Sequence, residues 1–500
     1  MKKSTVALIA TCLAAMMFGL EISSVPVILP TLEEKLGVNF KELQWVMNAY
    51  TIACTTVLMA TGTLADKYGR KLVFIVSVIL FGITSLICGI ATNGALLIVG
   101  RFLQGMGGGA MLICSIAILS NQFQDGKERA KAFSAWGVLT GIGLGFGPII
   151  GSGLMQLTNW HWVFLIHVPI SVLTILLITG SVKESKDHNA KKLDVWGIVT
   201  LSIAVFCLTY FITQGADLGF FSLSALAILA AAIISFLLFL LIEKKSSAPM
   251  FDFSVFKISN FSGAIFGSIG MNFSFWPFII YLPIYFQVAL HYDVFTCGIF
   301  LLAYTLPTLL MPPVGEKLSM RFQPKVVIPL GLFIIGIGFI IMMIGCNGNK
   351  SDWITIVVGM LIAGIGLGIT NTPTTNTTTG SVSPDRAGMA SGIDISARLI
   401  TLAFNIAIMG QLFVYAIFSY MYVNIGTQVS KEQLLTISGK IAGGDTKVLS
   451  ELSISSPAIA IDEVITQALV HAFKDIMLYS GAGVCIISVI SFFVFRKRSL

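Results

Sequence analysis

Along almost its whole length the chain alternates one kind of stretch with another: a run of roughly 20 residues nearly free of charge, then a short polar connection carrying Gly, Pro, Lys, Arg and Asp. Fourteen runs can be marked, at roughly 6–30, 44–64, 73–92, 96–121, 132–157, 162–181, 194–214, 222–242, 261–288, 295–315, 326–346, 353–379, 387–423 and 473–495. A helix of about 20 residues crosses the hydrocarbon layer. Backbone groups in lipid must be satisfied internally, and runs this long and apolar suit helices rather than barrel strands. The pattern predicts an all-α integral membrane protein with fourteen transmembrane helices. The first run opens like a signal peptide, but it continues past Glu21 to Pro30 and is expected to remain as helix one.

Composition sharpens this picture. The 500 residues are 56% hydrophobic and only 11% charged, with a mean hydropathy of +0.90, more apolar than a soluble core requires. An even number of spans puts both termini on one side. With the N-terminus inside, the inner connections collect Lys67, Arg70, Lys71, Lys127, Arg129, Lys131, Lys183, Lys186 and further bases down to the terminal FRKRSL. The outer ones hold Lys35, Lys41, Lys350, Lys431, Lys440, Lys447 and Lys474. The positive-inside rule therefore makes both termini cytoplasmic. The formal charge of +7 follows from this asymmetry and calls for no nucleic-acid partner. All eight Cys lie in or beside apolar runs without paired spacing, so neither a disulfide framework nor a metal site is expected.

The turn between the second and third runs, GTLADKYGRK, concentrates charge in a chain that has little. Lys67, Arg70 and Lys71 fit plain cytoplasmic anchors, but Asp66 among them, beside Gly62 and Gly69, suggests a polar latch where helices approach closely. A weaker echo, LSMRFQPK at 318–325, lies over LADKYGRK with Met320 in place of the acid. The echo is expected if the chain is built from two related halves.

GTLADKYGRK closely resembles the signature loop of the major facilitator superfamily. LEISSVPVILP (20–30), QWVMNAYTIA (44–53), RFLQGMGGGA (101–110), GIGLGFGPIIGSG (141–153), NWHWVFLIHVPIS (159–171) and SPDRAGMASGIDISARL (383–399) follow in an order similar to the fourteen-helix drug:proton antiporter branch. The resemblance implies two six-helix bundles, at 1–182 and 261–500, joined by a segment at 183–260 that carries two inserted helices. It implies proton-driven export of small amphipathic compounds through a bacterial cytoplasmic membrane, by a monomer with the proton as coupling ion and no cofactor. It also implies that the helix carrying Gly143, Gly147, Pro148 and Gly151 seals the half-interfaces of an exporter against leak. This chain departs from the pattern at Glu21 (usually Asp), Pro26 (Asn), His161 and His167 (Arg and Asn), and Leu399 (Gln).

The residues also speak without the family. Glu21 is the only acid and Arg101 the only base within the first six runs, and an ionised group near mid-membrane is costly unless paired or wet. Helix one runs outward and helix four inward, at levels where the two side chains can meet. A carboxylate beside a guanidinium is held ionised, whereas one desolvated away from it takes up a proton. Glu21 is thus expected to carry the coupling proton and Arg101 to tune it; a static ion pair orienting two helices is the other reading. Gly143, Gly147 and Gly151 share a helix face and let backbones touch, with Pro148 adding a bend.

Further polar positions extend the candidate cavity. NTPTTNTTTG places Asn371 and Thr375 on a helix expected to face water, and MNFSFWPFIIYLPIYFQ offers Asn272, Phe275 and Trp276 as part of an aromatic wall. Asp394 and Arg398, one helical turn apart, form an intrahelical pair or a second titrating site. His161 and His167 share no helix face and suggest no metal centre. The long outer segment at about 424–472, with KEQLLTISGKI and DEVITQALVHAFKD as short amphipathic helices, caps the outer mouth or meets a periplasmic adaptor. No G-x-x-x-x-G-K-[ST] loop is present, so energy from ATP hydrolysis is not expected, and no nucleophile, base or metal cluster converges in the spans, so an enzyme is not expected. A dedicated exporter of one endogenous metabolite, such as a siderophore, and a membrane sensor without transport remain as alternatives.

Overall fold

The computed structural model describes residues 3–38, 40–186, 194–245, 253–292, 294–349, 352–425, 430–442 and 461–496. Every regular element among them is helical. The first group comprises α1 (Lys3–Leu36), α2 (Phe40–Tyr68), α3 (Arg70–Gly89), α4 (Gly94–Gln122), α5 (Gly126–Leu157), α6 (His161–Leu165) and α7 (His167–Ser181). A pair follows, α8 (Val195–Leu218) and α9 (Leu223–Lys245). The second group comprises α10 (Ser259–Met271), α11 (Phe275–Ile284), α12 (Val294–Leu310), α13 (Pro312–Phe322), α14 (Pro324–Gly345), α15 (Trp353–Gly380), α16 (Ala387–Ile425), α17 (Lys431–Ala442) and α18 (Ile461–Arg496).

Polar residues at the connections start these helices where the pattern breaks. Asn93 accepts a hydrogen bond from the Leu96 amide at 2.8 Å and caps α4, and Asp194 does the same for the Gly197 amide at 2.8 Å ahead of α8. Among the described residues, eleven helices are long and apolar enough to cross a membrane, and the bent pair α12–α13, turning by 47° across Met311, makes a twelfth. Two expected spans take a different form. α2 runs unbroken over Phe40–Tyr68, but Asn48, Thr51, Thr55, Thr56, Thr61 and Thr63 make it more polar than the other long helices. The run at 261–288 is broken by a turn at 272–274 into α10 and α11 and closes in a π-helical turn at Tyr285–Ala289. Of the outer segment, KEQLLTISGKI forms α17 as expected, with Leu434, Ile437 and Ile441 buried. DEVITQALVHAFKD is no separate helix: from Ile461 it is continuous with the last span in α18, because Ile465, Leu469 and Phe473 extend the buried stripe. Residues 443–460 of that segment lie outside the described residues, as do 187–193 and 246–252 on either side of α8–α9.

In the first group α1 packs on α5, α4 and α7, and α2 on α4; in the second α14 packs on α15 and α18, and α10 on α18. Small residues set these distances: a Cβ on Gly105 of α4 would stand 2.3 Å from the Tyr50 carbonyl oxygen of α2. The α8–α9 pair lies beside α2 and α16, with the Tyr210 and Trp45 rings 5.6 Å apart. Ile233, Ile234, Phe236, Leu237 and Leu241 of α9 are exposed, an apolar face that suits lipid and not water.

Candidate transport site and gate

α1 presents two faces with different chemistry. Glu21, fully buried, turns toward α4 and α7, where its Oε1 accepts a hydrogen bond from Nη1 of Arg101. Arg101 is spent on further partners: its Nε donates to the Val46 carbonyl at 3.0 Å and its Nη1 to Gln104 Oε1 at 2.7 Å, while Gln104 donates to Ser85 Oγ at 2.8 Å. The guanidinium also lies 4.4 Å from the Tyr50 ring centre. On the other side of the carboxylate, Nε2 of the buried His167 stands 2.8 Å from Glu21 Oε2, and its Nδ1 has no partner among the described residues. The structure thus brings Glu21 and Arg101 together and adds His167 to them. Spacing along helix six could not reveal that contact, since the acid comes from helix one.

The other face of α1, with Phe18, Ile22, Ser23 and Pro26, lines a cavity of about 960 Å³ between the two groups of helices. Tyr50, Trp136, Thr140 and Pro148 continue that wall, and Asn272, Tyr281, Thr305, Asn371 and Arg398 form the opposite one. Ile212, Thr213 and Phe220 of the inserted pair and its connection contribute as well. The cavity is mostly apolar with a few placed polar groups, the composition of small-molecule sites. Of the expected aromatic wall, Tyr281 reaches the cavity, whereas Phe278 is packed 4.4 Å from the Phe339 ring; the side chains of Phe275 and Trp276 lie outside the described residues.

Asp394 and Arg398 sit on α16 behind and at that wall. Asp394 is fully buried and accepts hydrogen bonds from the Ser268 hydroxyl and, at 2.7 Å, from Thr375 Oγ1. Arg398 reaches it at 3.3 Å and also donates to Asn371 Oδ1 at 2.5 Å and to Thr375 Oγ1 at 2.7 Å. In the threonine-rich stretch of α15, Thr374 and Thr378 bond their own helix backbone, while Thr375 joins the ion pair.

GTLADKYGRK closes one end of the interface between the groups. Asp66 Oδ1 accepts from Arg70 Nη2 at 2.7 Å and Nε at 3.1 Å, and the carboxylate also accepts from the amides of Gly388 and Met389, at 3.2 and 3.0 Å. Those amides open α16, where the helix dipole favours an anion. Arg70 crosses too, donating to the Pro384 carbonyl at 2.6 Å. Burial pushes the Asp66 carboxyl up to about 6, against the opposing pull of Arg70 and of the two amides. Gly62 admits this contact, since a Cβ there would stand 2.4 Å from the Gly388 carbonyl oxygen. Gly69 has φ 116°, and Glu184 fills the space beside it, accepting from the Lys71 and Leu72 amides at 3.0 Å each. Lys71 Nζ donates to the Thr179 carbonyl at 2.7 Å, and Lys67 stands 5.6 Å from the Tyr68 ring centre.

A second crossing, absent from the sequence reading, lies beside it. Arg129 at the start of α5 donates to Asn376 Oδ1 at 2.5 Å and to Thr379 Oγ1 at 2.7 Å on α15, and Asn376 Nδ2 donates to Glu316 Oε2 of α13 at 2.7 Å. Between these points and the cavity, α5 shows two glycine faces. Gly143, Gly147 and Gly151 seat on α1, where a Cβ at Gly147 would lie 1.7 Å from Ser23 Oγ. Gly137, Gly141 and Gly145 face the other group instead, at Thr372 and Pro312, Leu309 and Thr305.

Two groups of helices around a central cavity, with a buried ion pair on one wall and a charged turn bridging their ends, define a multi-pass membrane transporter. The family model described as Major Facilitator Superfamily matches residues 10–405, and the chain belongs to that superfamily. It is 31% identical to the quinolone resistance protein NorB of Staphylococcus aureus, over 84% of this chain and 90% of that protein. It is 29% identical to the multidrug resistance protein Stp of Mycobacterium tuberculosis, over 81% and 75% of the two chains. Among solved structures it is similar to the proton:xylose symporter XylE, with a TM-score of 0.59 and 12% identity over 90% of this chain and 95% of that one, a likeness of fold alone.

Proposed function

We propose that this protein is a proton-driven antiporter of the fourteen-helix drug-export branch, moving small amphipathic compounds out of a bacterial cytoplasm by alternating access. The carrying observation is the double use of α1 and Tyr50. Phe18, Ile22, Ser23, Pro26 and Tyr50 line the cavity, while Glu21 on the same helix is sealed against Arg101, itself 4.4 Å from the Tyr50 ring. A compound entering the cavity presses on the elements that hold the carboxylate. Separating Glu21 from Arg101 removes the charge that keeps it ionised, so helix movement and proton uptake become one event. The names of the similar proteins, a quinolone resistance protein and a multidrug resistance protein, support drug-like cargo.

With both termini cytoplasmic, the Asp66 contacts hold the cytoplasmic side closed and are released when the halves rock. The protein works as a monomer in the inner membrane with the proton as its coupling ion. Inside-out vesicles with an acidified lumen test this. Addition of several unrelated amphiphiles is expected to release protons in wild type and not in Glu21→Gln; silence with every compound in wild type overturns the reading.

A further inference from the structure

The only charged side chain lining the cavity among the described residues is Arg398, and no Asp, Glu, Lys or His shares the wall with it. Its side chain is 12% exposed, while its counter-ion Asp394 is fully buried behind it. A molecule in the cavity therefore meets the guanidinium before the carboxylate. The pairing between the two is loose: the approaches are 3.3 Å, against roughly 2.7–2.9 Å for a well-made charge-assisted bond. Asp394 depends little on it, because the hydroxyls of Ser268 and Thr375 donate to its two oxygens. Arg398 in turn is aimed and not consumed. Asn371 Oδ1 takes one N–H of Nη1, Thr375 Oγ1 and the Asn371 carbonyl take those of Nη2, and Nε faces Asp394. A guanidinium has five N–H groups, so one on Nη1 has no partner among the described residues. The opposite wall offers Ile22, Leu144, Tyr50 and Trp136, which suit an apolar or aromatic body.

We propose that this cavity selects amphiphiles carrying a carboxylate or similar anionic group, with Arg398 as the residue that binds it and Asn371 and Thr375 as the residues that position the guanidinium. This deepens the transport reading of the same cavity and rests on it. A lipophilic cation would meet a positive group with no exposed acid to receive it, so anionic and zwitterionic cargo is preferred over purely cationic cargo.

The test uses purified full-length protein in phosphatidylcholine nanodiscs, which carry no anionic lipid to compete. Three matched probes are 4-(1-pyrenyl)butanoate, its methyl ester and 4-(1-pyrenyl)butylamine, read by energy transfer from tryptophan with empty nanodiscs subtracted. The carboxylate is expected to bind about tenfold tighter than the ester, with the amine weakest. Arg398→Gln should bring the carboxylate to the ester's affinity and leave the ester unchanged, and Arg398→Lys should keep part of the preference. An amine or ester that equals the carboxylate in wild type overturns the proposal, as does a preference that survives Arg398→Gln or a failure of all three probes to bind. Should Arg398→Gln also weaken the ester, the order in wild type decides alone. Proton release is measured separately: its absence together with an intact carboxylate preference would remove the antiport reading and leave this site standing.

Discussion

Two of the buried acid–arginine pairs, those flanking the cavity, are built on different plans. Glu21 and Arg101 come from different helices, are both sealed from the cavity, and meet a third titratable group in His167. Asp394 and Arg398 come from one helix a turn apart, and Arg398 shows an edge to the cavity. A pair that spans two helices changes when those helices move; a pair within one helix travels with it unchanged. The first arrangement suits a sensor of helix movement that exchanges a proton, and the second a fixed feature of the cavity wall.

The largest effect is expected from breaking the first pair. Glu21→Ala leaves Arg101 buried without its counter-charge, which costs about 3–5 kcal/mol. Asp394→Asn keeps polar partners in Ser268, Thr375 and Arg398 and should cost only about 1–2 kcal/mol. Thermal unfolding in detergent compares them, and equal losses would erase the distinction. Next in size is the latch. Gly62→Ala sets a methyl carbon 2.4 Å from the Gly388 carbonyl oxygen and is expected to force α2 from α16 at about 1–3 kcal/mol. Cross-linking between cysteines at the two helix ends should fall, and unchanged yield would show that the contact is not tight.

Asp66→Asn keeps the shape of the latch but loses the charge that accepts from Arg70 and two amides. Transport turnover should drop about tenfold with membrane insertion intact, because the variant keeps the neutral, closure-favouring form at every pH. Arg129→Gln, which leaves the Asp66 contacts in place, should reduce turnover by less. The smallest effect is on pH. The Asp66 carboxyl rises from the usual 3.8 to about 6 in the closed latch, so the closed state binds the extra proton. Acidification through about pH 6 should therefore favour closure, and closure should lose ground as pH rises through that value. Distance measurements across the cytoplasmic end should show the trend in wild type and lose it in Asp66→Asn.

Much of this was legible in the sequence because membrane spans announce themselves by length and apolarity, and because charge is scarce enough that Glu21, Arg101, Asp66 and Arg398 stand out. What was hidden is what depends on neighbours in space. The echo at 318–325 has Met320 where the first half has Asp66, so the second half read as lacking its acid. The structure finds one a turn earlier, at Glu316, working through Asn376 to Arg129 instead of through a helix N-terminus. The glycine spacing of α5 was plain, but which face meets α1 and which meets the other half depends on how the helix is rotated. The run at 261–288 read as one span, because a turn at 272–274 made of Asn, Phe and Ser leaves hydropathy almost untouched.

Glu21 is the centre of the account, and reconstituted vesicles test it most directly with a fluorescent amphiphile that the wild-type protein transports. Two rates are compared in Glu21→Gln: exchange of labelled for unlabelled compound at equal pH, and accumulation driven by a pH gradient. Exchange that persists while gradient-driven accumulation is lost is the predicted result, since the cavity is intact and only the proton carrier is gone. Accumulation at the wild-type level would contradict it and assign the buried pair to holding α1 against α4.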